Sequence, residues 1–218
     1  MRSIPIQCVL FDLDDTLYPR HVGLMDRVHE RMDEWIVRHL GISYWESAML
    51  RQRFYEQYGT SMAGLLAEYH IDPDDFLHYV HDFSPSDLLQ PDPALHQALC
   101  RIPLRRVVFT NGTRAHAYRV LDALGIETLF ERVIDVVDVG YVSKPAPLAY
   151  QRALALLHLA PGQCIMVEDS PRNLAPARAM GMITVLVGDK PHQVADYHVP
   201  EITWVAEVVD YVLRISKA

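Results

Sequence analysis

The chain has 218 residues, half of them hydrophobic, a formal net charge of −8 and a pI near 5.7. That length holds one good core and a smaller inserted unit. The acidic balance lacks the basic face of a nucleic-acid binder, and no apolar run is long enough to span a membrane, so neither a nucleic-acid polymer nor a membrane is expected as a partner. A small phosphate-bearing molecule stays open, because a bound metal and one or two cations can set the local field.

The first element is the apolar run Gln7-Cys8-Val9-Leu10-Phe11, which reads as a buried strand of a parallel sheet and ends in Asp12-Leu13-Asp14-Asp15-Thr16. Open parallel sheets bind ligands beyond the carboxyl ends of their strands, so Asp12 and Asp14 stand where chemistry usually happens. Two carboxylates side by side repel, and a divalent metal with hard oxygen ligands is the simplest remedy. Helical spacing follows over Leu24–Leu40, Tyr44–Tyr58 and Ser61–Tyr69, with Gly41 and Gly59 as stops. Asp72 caps a further helix with Pro73 at its first position. Nothing from residue 18 to 90 reads as a strand.

From Pro93 the pattern alternates. Helices are predicted over 94–101, 114–124, 147–158, 171–180 and 205–215, and strands over 106–110, 133–139, 164–167 and 183–187. The fold class is therefore α/β: a Rossmann-like parallel sheet core, residues 1–17 and 91–218, with an all-helical unit inserted at 18–90. The three cysteines, Cys8, Cys100 and Cys164, form no CxxC pair, and residues 1–5 leave no room for a signal peptide; both point to a cytoplasmic protein. His78 and His81 sit one helical turn apart without a third ligand nearby, which argues against zinc there.

Four strand ends carry polar residues: Asp12 and Asp14; Thr110 and Asn111; Lys144 in the loop after the third strand; Glu168 and Asp169. Taken singly, each has an ordinary structural reading. Thr110-Asn111-Gly112 can be a turn before a cap at Thr113, and Ser170-Pro171 a helix start. Taken together, in this order, they form a phosphoryl-transfer site.

The segments Asp12-Leu13-Asp14-Asp15-Thr16, Thr110-Asn111-Gly112, Lys144-Pro145 and Glu168-Asp169-Ser170 resemble the four motifs of the haloacid dehalogenase-like phosphohydrolases, and the inserted helices look like that superfamily's C1 cap. Phe11 to Pro19, Tyr58-Gly59-Thr60-Ser61, Phe76 to His81 and Val107 to Gly112 resemble the pyrimidine 5'-nucleotidase-like branch. Two positions depart from it: Asp15 where Asn is frequent, and Glu168 where Asp is. The resemblance implies an Mg2+-dependent hydrolase of small phosphomonoesters, most specifically pyrimidine nucleoside monophosphates. Asp12 would be the nucleophile and Asp14 the general acid and base. Thr110, Asn111 and Lys144 would hold phosphoryl oxygens. Asp12, Asp169, Glu168 and the Asp14 backbone carbonyl would hold the metal. Tyr18, Arg20 and His21, directly after the catalytic strand, are the candidates for substrate contact, with Tyr55 and Tyr58 as further aromatics. Alternatives are a phosphatase or phosphomutase for a sugar phosphate, phosphoglycolate or pyridoxal phosphate and, in another class, a receiver-like or non-catalytic phosphate binder. A dehalogenase needs no second catalytic carboxylate, and Asp14 is present.

Overall fold

Six strands form one parallel sheet in a computed structural model that describes residues 5–216. Most of the segment behind the signal-peptide expectation, residues 1–4, lies outside the described residues. The strands are β1 (Cys8–Phe11), β2 (Arg105–Phe109), β3 (Arg132–Ile134), β4 (Cys164–Glu168), β5 (Ile183–Val187) and β6 (Tyr197–Val199), in the order β3-β2-β1-β4-β5-β6. β1 is central, with Phe11 in register with Val108 and Val167. The chain reverses its direction of travel across the sheet at this strand, so Asp12 emerges at the switch point where such sheets take ligands.

Side chains alternate across the sheet. Val9, Phe11, Val108, Ile165 and Val167 face one apolar cluster, shared with α5 (Pro93–Cys100), α6 (Arg114–Ala123) and α9 (Val205–Ile215). Cys8, Leu10, Val107, Phe109 and Met166 face the other, shared with α7 (Pro147–Leu157) and α8 (Pro171–Ala179). Burial raises the Cys8 thiol to about 12 and Cys164 to about 11, so both behave as small apolar side chains.

Between β1 and α5 lie α1 (Leu24–Leu40), α2 (Tyr44–Tyr58), α3 (Ser61–Tyr69) and α4 (Pro73–Val80). They have their own apolar cluster around Trp35, Ile36, Phe54, Leu65 and Phe76. Ser43 and Glu46 form a capping box on α2, and the Asp72 side chain accepts from the N–H groups of Asp74 and Asp75 at the start of α4.

Two local expectations are corrected, and one strand lies outside them. The strand predicted over 133–139 stops at Ile134. There Asp135 Oδ1 accepts the Asp138 N–H at 2.9 Å while Asp138 Oδ2 accepts the Asp135 N–H at 3.3 Å, a side-chain-closed turn that competes with strand pairing. β6 was not read, being three residues with little pattern. Ser170 precedes α8 in extended conformation, but its side chain makes no capping bond.

Candidate active site

Asp12 is the first residue past β1. Its N–H donates to the Val167 carbonyl at 2.9 Å, which carries the β1–β4 pairing one residue further and fixes where its carboxylate begins. Asp12 Oδ1 accepts from Lys144 Nζ at 2.6 Å and Oδ2 from Thr16 Oγ1 at 3.0 Å. Lys144 Nζ also donates to Glu168 Oε2 at 2.8 Å, and its side chain is fully buried. Thr16 Oγ1 accepts the Asp169 N–H at 3.1 Å, tying the first and fourth strand ends together.

The lysine arrives on the loop before α7, and Asn111 holds that loop. Asn111 Oδ1 accepts the Lys144 N–H at 2.7 Å, and Asn111 Nδ2 donates to the Lys144 carbonyl at 3.0 Å. The Asn111 side chain is thus engaged on the Lys144 backbone, which leaves its backbone as the part able to meet a phosphoryl group. The Thr110 hydroxyl is buried and accepts the Gly112 N–H at 2.9 Å.

Asp14 is set apart from this cluster. Its Oδ1 accepts from the Tyr18 hydroxyl at 2.6 Å and pairs with His116 Nε2 at 2.9 Å. Burial pushes Asp14 up, but the electrostatic pull of His116 and the hydrogen bonds from His116 and Tyr18 outweigh it, and the carboxyl is held below its usual range. The remaining carboxylates go the other way. Burial, then the charge of Glu168, push Asp12 up to about 7 against the pull of Lys144. Burial pushes Glu168 to about 7 despite Lys144, and burial and Asp12 push Asp169 to about 6. Lys144 is raised in spite of burial, because Asp12 and Glu168 stabilise its charge.

Carboxylate oxygens of Asp12, Glu168 and Asp169 lie within 4.8 Å of one another. One ammonium among three carboxylates leaves an excess of negative charge, which adds to burial in making all three hold protons more tightly. A hard divalent cation fits this donor set, and Mg2+ suits it. Asp14 Oδ1 is engaged by Tyr18 and His116, and its carboxylate is not among the three that cluster.

The family model of the haloacid dehalogenase-like hydrolases matches residues 6–181. The chain belongs to that family. Among curated relatives, the chain is 27% identical over 204 residues to "Phosphate metabolism protein 8" of Saccharomyces cerevisiae, covering 86% of this chain and 61% of the yeast protein. It is 30% identical over 198 residues to a phosphoglycolate phosphatase of Rhodospirillum rubrum, covering 83% and 79%. Among solved structures, an HAD phosphatase from Thermococcus onnurineus superimposes with a TM-score of 0.60 at 25% identity, covering 94% of this chain and 98% of that one.

Two cavities approach the site of this haloacid dehalogenase-like hydrolase from different sides. One, of about 210 Å³, lies between the sheet edge and the inserted helices; Asp14, Asn111, Gly112 and Ser143 border it on the core side, and Met25, Met32, Met62, Phe76 and Leu77 on the helical side. Its lining includes His29 and His81 but no lysine or arginine. The other, of about 790 Å³, is lined by Asp15, Asp26, Asp169, Asp189 and Glu201 together with Arg20 and His21. Arg20 and His21 thus border the larger cavity, beside Thr16 and Asp169, and not the smaller one that Asp14 borders. Tyr18 is 2% exposed, packs in the main core, donates its hydroxyl to Asp14 and borders the larger cavity. Tyr58 hydrogen-bonds Glu68 on the surface, whereas Tyr55 does border the smaller cavity.

Sequence reasoning missed His116. Its signal was positional: a histidine in the first turn of the helix that follows the Thr110-Asn111-Gly112 strand end, three residues after the Thr113 cap. A residue there faces back toward the sheet edge.

Proposed function

We propose that the chain is an Mg2+-dependent phosphomonoester hydrolase that works through an aspartyl-phosphate on Asp12 and acts on nucleoside monophosphates, pyrimidine ones first. The observation that carries the reading is the buried Lys144 Nζ shared between Asp12 Oδ1 and Glu168 Oε2, with Asp14 set apart on its own donors. Lys144 restrains Asp12 at one oxygen and places a positive charge where phosphoryl oxygens gather. Asp12 attacks phosphorus in line, and the ester P–O bond breaks. Asp14 gives a proton to the departing alkoxide, then takes one from the water that opens the acyl phosphate. Asp14 is held ionised in the free site, and a phosphoryl dianion beside it raises its proton affinity. Asp12, Glu168 and Asp169 would hold Mg2+, which supplies charge neutralisation for the transferring phosphoryl group.

The smaller cavity supports an uncharged leaving group. Its apolar side suits a base and ribose, and Thr60, Ser61 and Asn173 add polar atoms at its edge. A carboxylate or second phosphate on the leaving group would find no lysine or arginine there. This weighs against phosphoglycolate despite the relative's name. A cytoplasmic setting accords with the free cysteines.

The test is phosphate release from UMP, CMP, dTMP, AMP, GMP, pyridoxal phosphate, phosphoglycolate and sugar phosphates, with Mg2+ and with chelator. Chelator-sensitive release with the highest kcat/KM on pyrimidine monophosphates is expected. A preference for another ester would overturn the nucleotidase reading alone, and no release from any would overturn the hydrolase reading.

A further inference from the structure

Tyr18 and His116 bind the same oxygen of Asp14. The Tyr18 hydroxyl donates to Oδ1 at 2.6 Å, and His116 Nε2 lies 2.9 Å from it. A carboxylate oxygen only accepts, so Nε2 carries the hydrogen. His116 Nδ1 is buried with no hydrogen-bond partner among the described residues, so the polar contact of this ring is the one to Asp14. The outer torsion of an aspartate is soft, and two directional bonds on one oxygen fix the plane of the whole carboxyl.

The His116 ring is itself held. It is fully buried, and the His81 ring stacks on it at 4.4 Å between centroids and 25° between planes. His81 is held in turn: its Nδ1 pairs with the Leu77 carbonyl at 2.9 Å, and its own carbonyl accepts from Arg119 Nη2 at 2.5 Å. Arg119 lies one turn beyond His116 on α6, so one core helix grips both the ring stack and the end of α4. His81 and Asp14 border the same small cavity.

We infer that His116 is the positioning residue of Asp14: with Tyr18 it pins Oδ1, reserves Oδ2 for the proton passed to the leaving oxygen, and is kept in that pose by the His81 ring from the inserted helices. This rests on the phosphomonoesterase reading above. In the step concerned, an Asp12 oxygen bonds to phosphorus, the ester P–O bond breaks, and the electron pair left on the alkoxide takes the proton from Asp14 Oδ2. An alkyl leaving group needs that proton. A nitrophenolate does not.

The experiment compares kcat/KM for benzyl phosphate and p-nitrophenyl phosphate, two esters of similar shape whose leaving groups differ in their need for a proton. That ratio reports only steps up to release of the alcohol, so later hydrolysis of the acyl phosphate drops out. His116→Leu is expected to lower kcat/KM for benzyl phosphate by at least about tenfold more than for p-nitrophenyl phosphate, within the range that general acid catalysis supplies. His116→Gln, which keeps an N–H donor, is expected to recover part of the difference. Equal losses on both esters, or no loss, would overturn the inference, since a merely structural role does not sense the leaving group. If His116→Leu does not fold, Tyr18→Phe removes the other donor to the same oxygen and is judged by the same ratio. A wild-type protein that hydrolyses neither ester overturns the underlying reading; one that hydrolyses both, with the ratio unchanged in the variants, overturns this inference alone.

Discussion

Lys144 Nζ donates to Asp12 Oδ1 at 2.6 Å from a side chain with no exposed surface. Breaking a buried pair from one side leaves a charge without compensation. Lys144→Met strands Asp12 against Glu168 and is expected to cost about 3–5 kcal/mol of stability, read from urea midpoints, together with loss of phosphate release. An unchanged midpoint would show that the cluster relaxes by taking up protons.

Asp12→Asn would remove the proposed nucleophile but keep an oxygen that accepts from Lys144. Its circular dichroism and melting temperature should stay near wild type while turnover falls to background. Substantial residual turnover would remove Asp12 from the nucleophile's role.

The raised carboxylates give a metal-dependent pH effect. Asp12 and Glu168 near 7, and Asp15 and Asp169 near 6, all bind protons more tightly folded than unfolded. Their contribution to stability is therefore largest at low pH and falls as pH rises from the ordinary carboxylate range through 7. His81, lowered by burial to about 3, acts oppositely between that value and its ordinary 6.5. Mg2+ competes with protons for the acidic cluster alone. The rise in melting temperature on adding Mg2+ should thus be small at pH 5 and larger at pH 8; a rise independent of pH would place the metal elsewhere.

Gly64 sits in α3 where a Cβ would stand 2.2 Å from Phe54 Cγ on α2. Alanine normally favours a helix over glycine by about 1 kcal/mol. Here the overlap with a ring having no exposed surface dominates, and Gly64→Ala should destabilise by about 1–3 kcal/mol in denaturant titration. A gain in stability would mean that α2 and α3 separate freely.

The apolar cavity should set selectivity through what it lacks. Met32 lines it and is only partly buried, so a longer cationic side chain can be seated there. Met32→Lys is expected to raise the phosphoglycolate-to-UMP ratio of kcat/KM by about tenfold, equivalent to about 1.4 kcal/mol. No change in the ratio would place the leaving group in another space.

Most of the sheet was legible in the sequence because β1, β2, β4 and β5 are apolar runs, and the polar residues that gather at its edge follow β1, β2 and β4 directly. Asp12 and Glu168 meet because β1 and β4 pair in register, and Lys144 joins them on a loop that Asn111 holds. The surroundings of Asp14 were not legible. Tyr18 reads as a residue of the entering turn, yet it sinks into the main core and turns its hydroxyl back on Asp14, a pairing across four residues that no periodicity encodes. His116 and His81 lie far apart in the chain and meet only because Arg119 holds the end of α4 to α6. Arg20 and His21 line the larger cavity with Asp169 rather than the smaller one with Asp14, a choice that chain order alone does not make.

At Gly59, with φ of +93°, a Cβ would come 2.6 Å from Pro145 Cδ, beside the loop that delivers Lys144. The inserted helices thus touch the catalytic loop where there is room for a hydrogen atom and nothing larger. Selectivity and reactivity consequently have unequal freedom to drift. The methionines of the cavity can be exchanged one by one, each altering which alcohol fits, while the ammonium keeps its post. A side chain at Gly59 would instead push on Pro145 and disturb every substrate at once, so a lineage diversifying this scaffold has many walls to repaint and one hinge pin to leave alone.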